Sequence, residues 1–285
     1  MSDPHMHVPD LVLEPMVRNA LLEDMGAYGD ATTRAVIPSG TTWRAEMRAR
    51  EAGRISGMAI AALAFRLVDP QLAVSVIIED GQACEPGQSV MTIEGEAASI
   101  LMGERVALNF AGRMSGIATM TAAFVAEATG TATRITCTRK TTPGLRIAEK
   151  LAVLHGGGFN HRYSLSDAVL IKDNHIAAAG GVRPVLQAVK ASASHMMAVE
   201  IEVDTLDQLG EVLEEGGAHN VLLDNMDTPT LAEAVRLVDG RIKTEASGNM
   251  RLERIAEVAA TGVDYISVGA LTHSVRTLDL GLDFS

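Results

Sequence analysis

The second half of the chain alternates short apolar runs with amphipathic segments. Segments such as LDQLGEVLEEGG and RLERIAEVAATG have helical periodicity, and the apolar runs between residues 134 and 269 are RITCT, AVLIK, AVEIEV, NVLLD, IKTEAS and YISVG. Strands that alternate with helices at a spacing of roughly 20 to 30 residues are typical of βα units with parallel strands. The pattern therefore predicts six parallel strands, in a (β/α) barrel or in an open doubly wound sheet.

The first part of the chain has a mixed pattern. Apolar spacing predicts a helix from Val12 to Met25, and the alternation in WRAEMRAR predicts a strand that carries Trp43, Ala45, Met47 and Ala49 on one face. EPGQ predicts a turn, and VMTIEG predicts another short strand. These elements indicate an α+β domain with a small sheet.

A long helical stretch follows from about Ala98, and we expect interruptions near Gly112 and Gly116. This stretch leads out of the first domain. We predict an N-terminal α+β domain over residues 1–112 and a barrel-like catalytic domain over residues 113–271. The tail, about residues 272–285, is expected to pack with the first domain.

Two observations favour the barrel. Nearly every predicted strand ends in a polar or glycine residue, and in a barrel these ends converge on one mouth. The residues concerned are Arg139 and Lys140, Lys172, Glu200 and Glu202, Asp224, Ser247 with Gly248, and Gly269. In addition, no GxGxxG motif follows a strand, so the usual marker of a dinucleotide-binding sheet is missing.

Composition narrows the classes of function. The 285 residues are 47% hydrophobic and 3% aromatic, and the net charge is −12, so neither a basic surface nor stacking side chains for nucleic acid are expected. Cys84 and Cys137 are the only cysteines and form no CxxC pair, which argues against a disulfide framework or a zinc site. Neither a secretory signal nor a membrane-spanning run is recognisable, so the expected location is the cytoplasm.

Against this acidic background, residues 134–172 form a basic cluster. The segment holds seven cations and two acids, a local balance of +5, so the rest of the chain sums to −17. Crowded cations at a barrel mouth predict a ligand with several carboxylates or phosphates. Arg139, Lys140, Arg162 and Lys172 are the strongest candidates, whereas Arg146 and Lys150, four residues apart on a helix, either join them or face water.

Other residues have two readings each. Glu202 and Asp224, at successive strand ends, either hold magnesium with a phosphorylated ligand or only neutralise neighbouring cations. His161 either donates to an anion or is structural. The glycines at 156–158 either let the backbone approach a ligand or form a tight connection, and HGGG without a GxSxG motif does not indicate an esterase. Ser247, Gly248, Gly269 and Ala270 lie where barrels often bind a phosphate.

Several of these stretches, in this order, resemble one known family. TRKTTPGLR, GGGFNHR and LIKDNH are the most specific, and they are accompanied by EDMGAYGDATT, GERVALNFAGRMSGIAT, VEIEVDTLDQL, LLDNM, EASGN and TGVDYISVGALTHSV. From about residue 21 onward the chain resembles the quinolinate phosphoribosyltransferases, also called nicotinate-nucleotide pyrophosphorylases (carboxylating). The resemblance implies an incomplete TIM-like (β/α) barrel with an N-terminal α/β (α+β) sandwich domain.

The resemblance also implies a reaction and a site. The family transfers a phosphoribosyl group from phosphoribosyl pyrophosphate to quinolinate with decarboxylation, which gives nicotinate mononucleotide, pyrophosphate and CO2 in NAD biosynthesis. Mg2+ accompanies the diphosphate, and no organic cofactor is implied. Lys140, Lys172, Glu202 and Asp224 would be catalytic, and Glu202 and Asp224 would hold the metal partly through substrate. Substrate would contact these four residues and Arg105, Thr138, Arg139, His161, Arg162, Ser247, Gly248, Asn249, Val268, Gly269 and Ala270.

The resemblance further implies a homodimer in which Arg105 completes the partner's site, and a higher oligomer is left open. Two rival classes remain. Lys172 at a strand end is also what a Schiff-base aldolase uses. A non-catalytic anion-binding or transport-associated protein on the same fold is the other, although the basic residues expected to bind quinolinate are intact here.

Overall fold

The structure, a computed structural model, describes residues 8–284. Its helices are α1 Asp10–Met25, α2 Ala31–Val36, α3 Met58–Val68, α4 Ala97–Glu127, α5 Arg146–His155, α6 Asp173–Ala179, α7 Val182–Ser192, α8 Leu206–Glu215, α9 Thr228–Val238, α10 Leu252–Ala259 and α11 Ala270–His273. Its strands are β1 Thr42–Ala49, β2 Gly53–Arg54, β3 Ala73–Val76, β4 Ala83–Cys84, β5 Ser89–Glu96, β6 Arg134–Thr136, β7 Val169–Ile171, β8 Val199–Val203, β9 Asn220–Asp224, β10 Lys243–Ser247, β11 Tyr265–Ser267 and β12 Leu280–Phe284.

The described chain divides into two compact units. The first contains the described residues up to Ala122, the segment Thr141–Gly157 and the residues from Leu271 onward, and the second contains Ala123–Lys140 and Gly158–Ala270. The boundary expected at residue 112 lies inside α4, and α5 groups with the first unit rather than with the parallel strands. The tail returns to the first unit, where β12 pairs with β1.

The first unit is built on an antiparallel sheet with strand order β12-β1-β5-β3. Ala45, Met47 and Ala49 of β1 are fully buried, as the alternation of apolar and polar residues predicts. Helix α1 buries Leu13, Val17 and Leu21, whose spacing of four residues forms one stripe, and this helix packs on the apolar helix α3. The predicted α+β character of this part is therefore present.

The expected interruption of the long helix near Gly112 and Gly116 is wrong, because α4 is continuous over 31 residues. These glycines instead allow the tail to approach the helix closely. A Cβ added to Gly112 would lie 2.8 Å from Thr277 Cγ2, and one added to Gly116 would overlap the carbonyl oxygen of Arg276. The absence of a side chain is thus required by packing within the first unit, and this outweighs the low helix propensity of glycine.

We expect Gly116→Ala to lower the free energy of unfolding by about 3 kcal/mol, because the new methyl group must displace backbone of the tail. Gly210 is the matched control, since it also lies inside a helix and a Cβ there would meet nothing within 4 Å. Gly210→Ala should raise stability by about 0.5–1 kcal/mol. Urea denaturation of both variants measures the difference, and equal stabilities would contradict the packing argument.

The second unit contains the six predicted parallel strands, which are confirmed. Their order in the sheet is β6-β11-β10-β9-β8-β7, so neighbours follow one another along the chain from β7 to β11. The first strand, β6, then pairs with the last, β11, in parallel. A doubly wound sheet reverses its order at a switch point, whereas pairing of the first strand with the last is the closure of a barrel. The predicted barrel is confirmed.

The barrel is incomplete between β6 and β7. Phe159 forms an isolated parallel bridge with Thr136 at the outer edge of β6, where Cys137 N–H donates to Phe159 O and Phe159 N–H donates to Ile135 O. One short segment therefore stands in for a full strand, and no strand among residues 8–284 pairs it with β7. Residues 160–168 cross this open side of the barrel. Among the same residues, no helix combines the length and apolar character needed to cross a bilayer.

Candidate active site

Most of the predicted site residues, whether expected from strand ends or from the family resemblance, lie at the carboxyl ends of the parallel strands of the second unit. Each follows from strand geometry, since parallel strands in one sheet place their carboxyl ends at the same edge. The residues concerned, in strand order from β6 to β11, are Thr138, Arg139 and Lys140; Lys172; Glu202; Asp224; Ser247, Gly248 and Asn249; and Val268, Gly269 and Ala270. His161 and Arg162 follow the Phe159 bridge.

Arg162 has the most unusual environment of the predicted cations. Its Nη1 donates to the carbonyl oxygen of Ala168 at 2.7 Å, while its Nε is buried and has no hydrogen-bond partner within residues 8–284. Burial lowers the pKa of the guanidinium, and the charge of Arg139 lowers it further, whereas Glu200 and Asp167 act in the opposite direction. An arginine does not lose its proton in a protein, so a lowered pKa means that the positive charge is under-compensated. An anion bound here would compensate it.

The imidazole of His161 is held by the protein at both nitrogens. Its Nδ1 accepts from the backbone N–H of Arg162 at 2.8 Å, and its Nε2 lies 2.8 Å from Glu200 Oε2. The ring therefore connects the loop that carries Arg162 to strand β8. A direct contact of His161 with substrate stays a prediction.

Lys172 and Glu202 form an ion pair at the mouth. Lys172 Nζ lies 2.6 Å from Glu202 Oε2, and the lysine side chain is half exposed whereas the carboxylate is largely buried. Asp224, at the end of the neighbouring strand β9, is half-buried, and its Oδ2 accepts from the side-chain amide of Asn225. Two carboxylates thus lie near the ends of adjacent strands, and one of them, Glu202, pairs with an ammonium group.

The turns after β9 and β10 are tightly packed. Asn225, Gly248 and Asn249 all have positive φ, at 54°, 94° and 48°. A Cβ on Gly248 would overlap Asn225 Oδ1 and would lie 2.9 Å from Asn225 Cα. Glycine is required at this position for both reasons, and such strained backbone is common where a protein holds a ligand.

Three of the cations considered from the sequence belong to the first unit. Arg105 is exposed on α4, and Arg146 Nε donates to Thr141 Oγ1 at 2.9 Å. Lys150 is fully buried, so the alternative in which it faces water is wrong. The next residue back, Glu149, is also buried and accepts from Arg113 Nε at 2.9 Å and from Thr142 N–H at 3.1 Å. Helix α5 thus turns charged residues into the interior of its unit.

Two acids near the site had no specific predicted role, although Glu200 was counted among the polar groups that the barrel gathers at its mouth. Glu200 on β8 and Glu245 on β10 are each 5% exposed and line a pocket of about 250 Å³ together with His161 and Arg162. Residues at strand starts, such as Asn220, also line it, so the pocket reaches below the strand ends. The sequence did contain a signal for both residues, because an acid in the middle of a buried parallel strand is uncommon and its burial costs free energy.

Comparison with known proteins decides the family. The N-terminal domain of quinolinate phosphoribosyl transferase matches residues 30–115, and its C-terminal domain matches residues 117–283. The chain belongs to the quinolinate phosphoribosyltransferase family. The match covers both the antiparallel unit and the barrel strands, which agrees with the resemblance found in the sequence motifs.

Relatives in this family match over nearly the whole chain. Quinolinate phosphoribosyltransferase [decarboxylating] 1b of Nicotiana tabacum is 45% identical over 96% of this chain and 83% of its own length. Nicotinate-nucleotide pyrophosphorylase [carboxylating] of Mycobacterium leprae is 46% identical over 94% of this chain and 95% of its own. The structure of nicotinate-nucleotide pyrophosphorylase from Francisella tularensis superposes with a TM-score of 0.92 at 36% identity, covering 98% of each chain.

Membership of the quinolinate phosphoribosyltransferase family argues against the Schiff-base aldolase, and so does the geometry of Lys172. A Schiff base needs a lysine amine that is free to attack a carbonyl carbon. Here the lysine nitrogen lies 2.6 Å from the carboxylate of Glu202 and is engaged in an ion pair.

Proposed function

We propose that this barrel mouth transfers the phosphoribosyl group of phosphoribosyl pyrophosphate to quinolinate and removes one carboxylate as CO2. The products are nicotinate mononucleotide and pyrophosphate. The observation that carries the proposal is the under-compensated guanidinium of Arg162, whose buried Nε has no partner among residues 8–284 and whose pKa is lowered by burial and by the charge of Arg139. A planar dicarboxylate supplies the acceptor oxygens that this group lacks.

Quinolinate binds among the basic residues. Arg139, Arg162 and Lys172 take its two carboxylates, with Thr138 at the edge of the site and Lys140 and His161 between the carboxylates and the diphosphate. A mono-carboxylate such as nicotinate would leave one or more of these cations without a partner in a partly buried site. That penalty favours the dicarboxylate.

Glu202 and Asp224 serve the ribose and a magnesium ion. The residues fit such an ion, because magnesium prefers hard oxygen ligands and often takes one or two carboxylates plus substrate phosphates. Asp224 is half-buried at the end of β9, and Glu202 lies on the neighbouring strand β8 in register with Leu222, two residues before Asp224. Bound magnesium would supply neutralisation of the negative charge on the diphosphate.

The 5′-phosphate lies at the turns after β10 and β11. Ser247, Gly248 and Asn249 offer a hydroxyl and closely approaching backbone, and Val268, Gly269 and Ala270 offer the backbone of the next turn. The requirement for glycine at position 248 supports a turn whose backbone conformation serves ligand binding and does not only connect two elements.

The proposed chemistry needs no organic cofactor. As the bond between ribose C1 and the diphosphate breaks, positive charge grows on the ribose and negative charge on the leaving group. Glu202 and Asp224 offset the first, and Lys140 offsets the second. The quinolinate nitrogen bonds to C1 and becomes cationic, so it can accept the electron pair that the departing CO2 leaves behind. A proton then replaces the lost carboxylate on the ring.

The active form is a homodimer in which Arg105 of each subunit completes the site of the other. Two observations support this arrangement. Arg105 is exposed on α4, so a partner subunit can reach it, and it belongs to the first unit, whereas the cations of the barrel mouth belong to the second. A larger assembly of such dimers is compatible with this arrangement. The cytoplasm stays the location expected from the sequence.

The deciding experiment offers the purified protein phosphoribosyl pyrophosphate, Mg2+ and either quinolinate or nicotinate. Quinolinate should give nicotinate mononucleotide and CO2 in equal amounts, detected by chromatography and by release of label from the 2-carboxylate. Nicotinate should give at least about 100-fold less product, because a cation is left unpaired. Absence of pyrophosphate release with quinolinate would favour the anion-binding rival.

A further inference from the structure

The hydrogen bond between His161 and Glu200 crosses the open side of the barrel. We propose that Glu200 is a positioning residue for the dicarboxylate: through the ring of His161 it fixes the backbone of Arg162 and hence the direction of the guanidinium. This inference rests on the proposed function, and it gives Glu200, which the sequence placed among the polar groups of the barrel mouth without a specific role, a part in substrate specificity.

The first step concerns the proton on His161. Its Nδ1 accepts a hydrogen bond from the backbone N–H of Arg162 at 2.8 Å, so Nδ1 carries no proton. In a neutral imidazole the proton is then on Nε2, and this N–H donates to Glu200 Oε2 at 2.8 Å. The neutral ring therefore accepts from the backbone of Arg162 at one nitrogen and donates to the carboxylate of Glu200 at the other, as a connector between them.

The second step concerns what the connector joins. His161 follows the Phe159 bridge on the outer edge of β6, whereas Glu200 lies in β8, beyond the gap in the barrel. On the other side of Arg162, its own Nη1 donates to Ala168 O, immediately before β7. The loop is therefore fastened on both sides of the arginine. An arginine held in this way loses less side-chain entropy when it binds a carboxylate.

The third step concerns the burial of Glu200. Only 5% of the residue is exposed, and its Oε1 is buried with no hydrogen-bond partner in the part of the chain that the structure describes. Burying a carboxylate in a strand costs free energy, and a leucine would pack there without that cost. A costly group at this position needs a compensating use, and its bond to His161 is such a use.

A metal site is the competing reading of the same cluster. One ligand atom from each of His161, Glu200 and Glu245 can be chosen so that all lie within 4.8 Å of one another. A metal at Nε2 would need the lone pair of that nitrogen, but the acceptor role of Nδ1 places the proton on Nε2. Glu245 Oε1 lies 4.0 Å from His161 Nε2, too far for a hydrogen bond. The geometry points to a connector rather than to a metal ligand.

The kinetic test compares Glu200→Leu with Glu200→Gln. Leucine removes the acceptor, and we expect KM for quinolinate to rise about tenfold while kcat and KM for phosphoribosyl pyrophosphate stay within about threefold. Glutamine keeps an acceptor oxygen and should restore KM. Glu214→Leu, an exposed change on α8, is the control and should change nothing. In an Arg162→Ala background, Glu200→Leu should have no further effect on KM, because both changes remove the same interaction.

A spectroscopic test reads the tautomer in the unmodified protein. In spectra of protein labelled with 15N-histidine, the signal that disappears in His161→Gln should be that of a neutral ring with its proton on Nε2. A proton on Nδ1, a charged ring, or a shift of this signal on adding Zn2+ alone would overturn the proposal, as would full additivity with Arg162→Ala. Because the tautomer is measured in wild-type protein, it tests the proposal even if Glu200→Leu does not fold. Lack of phosphoribosyl transfer by wild-type protein would instead refute the proposed function.

Discussion

Arg162→Ala should lower kcat/KM for quinolinate by about 10²- to 10³-fold, with KM for phosphoribosyl pyrophosphate little changed. The magnitude is that of removing one partner from a buried, hydrogen-bonded charge pair, about 3–4 kcal/mol. The guanidinium provides both charge and a planar pair of donors, so Arg162→Lys should recover only part of the loss. Steady-state kinetics with each substrate varied in turn measure these effects.

Arg236→Ala is the control for this experiment. Arg236 lies on α9 in the same unit, and its side chain is 72% exposed and pairs with Glu233 within one turn. Such exposed pairs contribute little, so the control should retain wild-type kinetics. Circular dichroism should be the same for both variants. Unchanged quinolinate kinetics in Arg162→Ala would remove the main support for the proposed function.

Mixing two inactive variants should restore activity. If Arg105 completes the partner's site, a dimer of one Arg105→Ala subunit and one Lys172→Ala subunit contains one fully intact site and one doubly defective site. With random exchange, half of the dimers are mixed, so the mixture should recover about a quarter of wild-type activity. The assay follows nicotinate mononucleotide formation after the subunits have exchanged.

The matched control mixes Lys172→Ala with Arg162→Ala. Both residues belong to the same barrel mouth, so every site in a mixed dimer lacks one of them and no activity should return. Recovery in this control would mean that exchange restores activity by some other route. Failure of the Arg105→Ala and Lys172→Ala mixture to recover would contradict the shared site.

The sequence predicted the barrel because the spacing of apolar runs indicates alternating strands and helices, and the polar residues at the strand ends indicate a common mouth. Each of the six apolar runs became a strand, and polar groups such as Lys172 and Asp224 stand where strand direction places them. Pairing of β6 with β11 was not visible in the pattern, since closure depends on the curvature of the whole sheet. The periodicity of apolar residues predicts individual helices and strands better than it predicts which strand edges pair in the sheet.

The prediction was weaker where burial or packing decides the role of a residue. Gly116 suggested a break in α4, but its lack of a side chain serves the passing tail. Lys150 suggested a solvent-facing or ligand-binding cation, but it is fully buried in the first unit. His161 had two readings, because the partners of its two nitrogens come from different parts of the chain, Glu200 being 39 residues away. Rules based on local residue spacing do not predict hydrogen bonds between residues so far apart in the sequence.

The pairing of β12 with β1 has a consequence for the order in which the chain folds. Arg50 and Asp283, bonded beside this pairing, are separated by 233 residues, and the whole second unit is synthesised between them. During translation the early strands can form their own contacts, but the edge of β1 stays uncovered until Leu280–Phe284 have been made. All strands of the barrel are therefore synthesised before the last strand of the unit that began first.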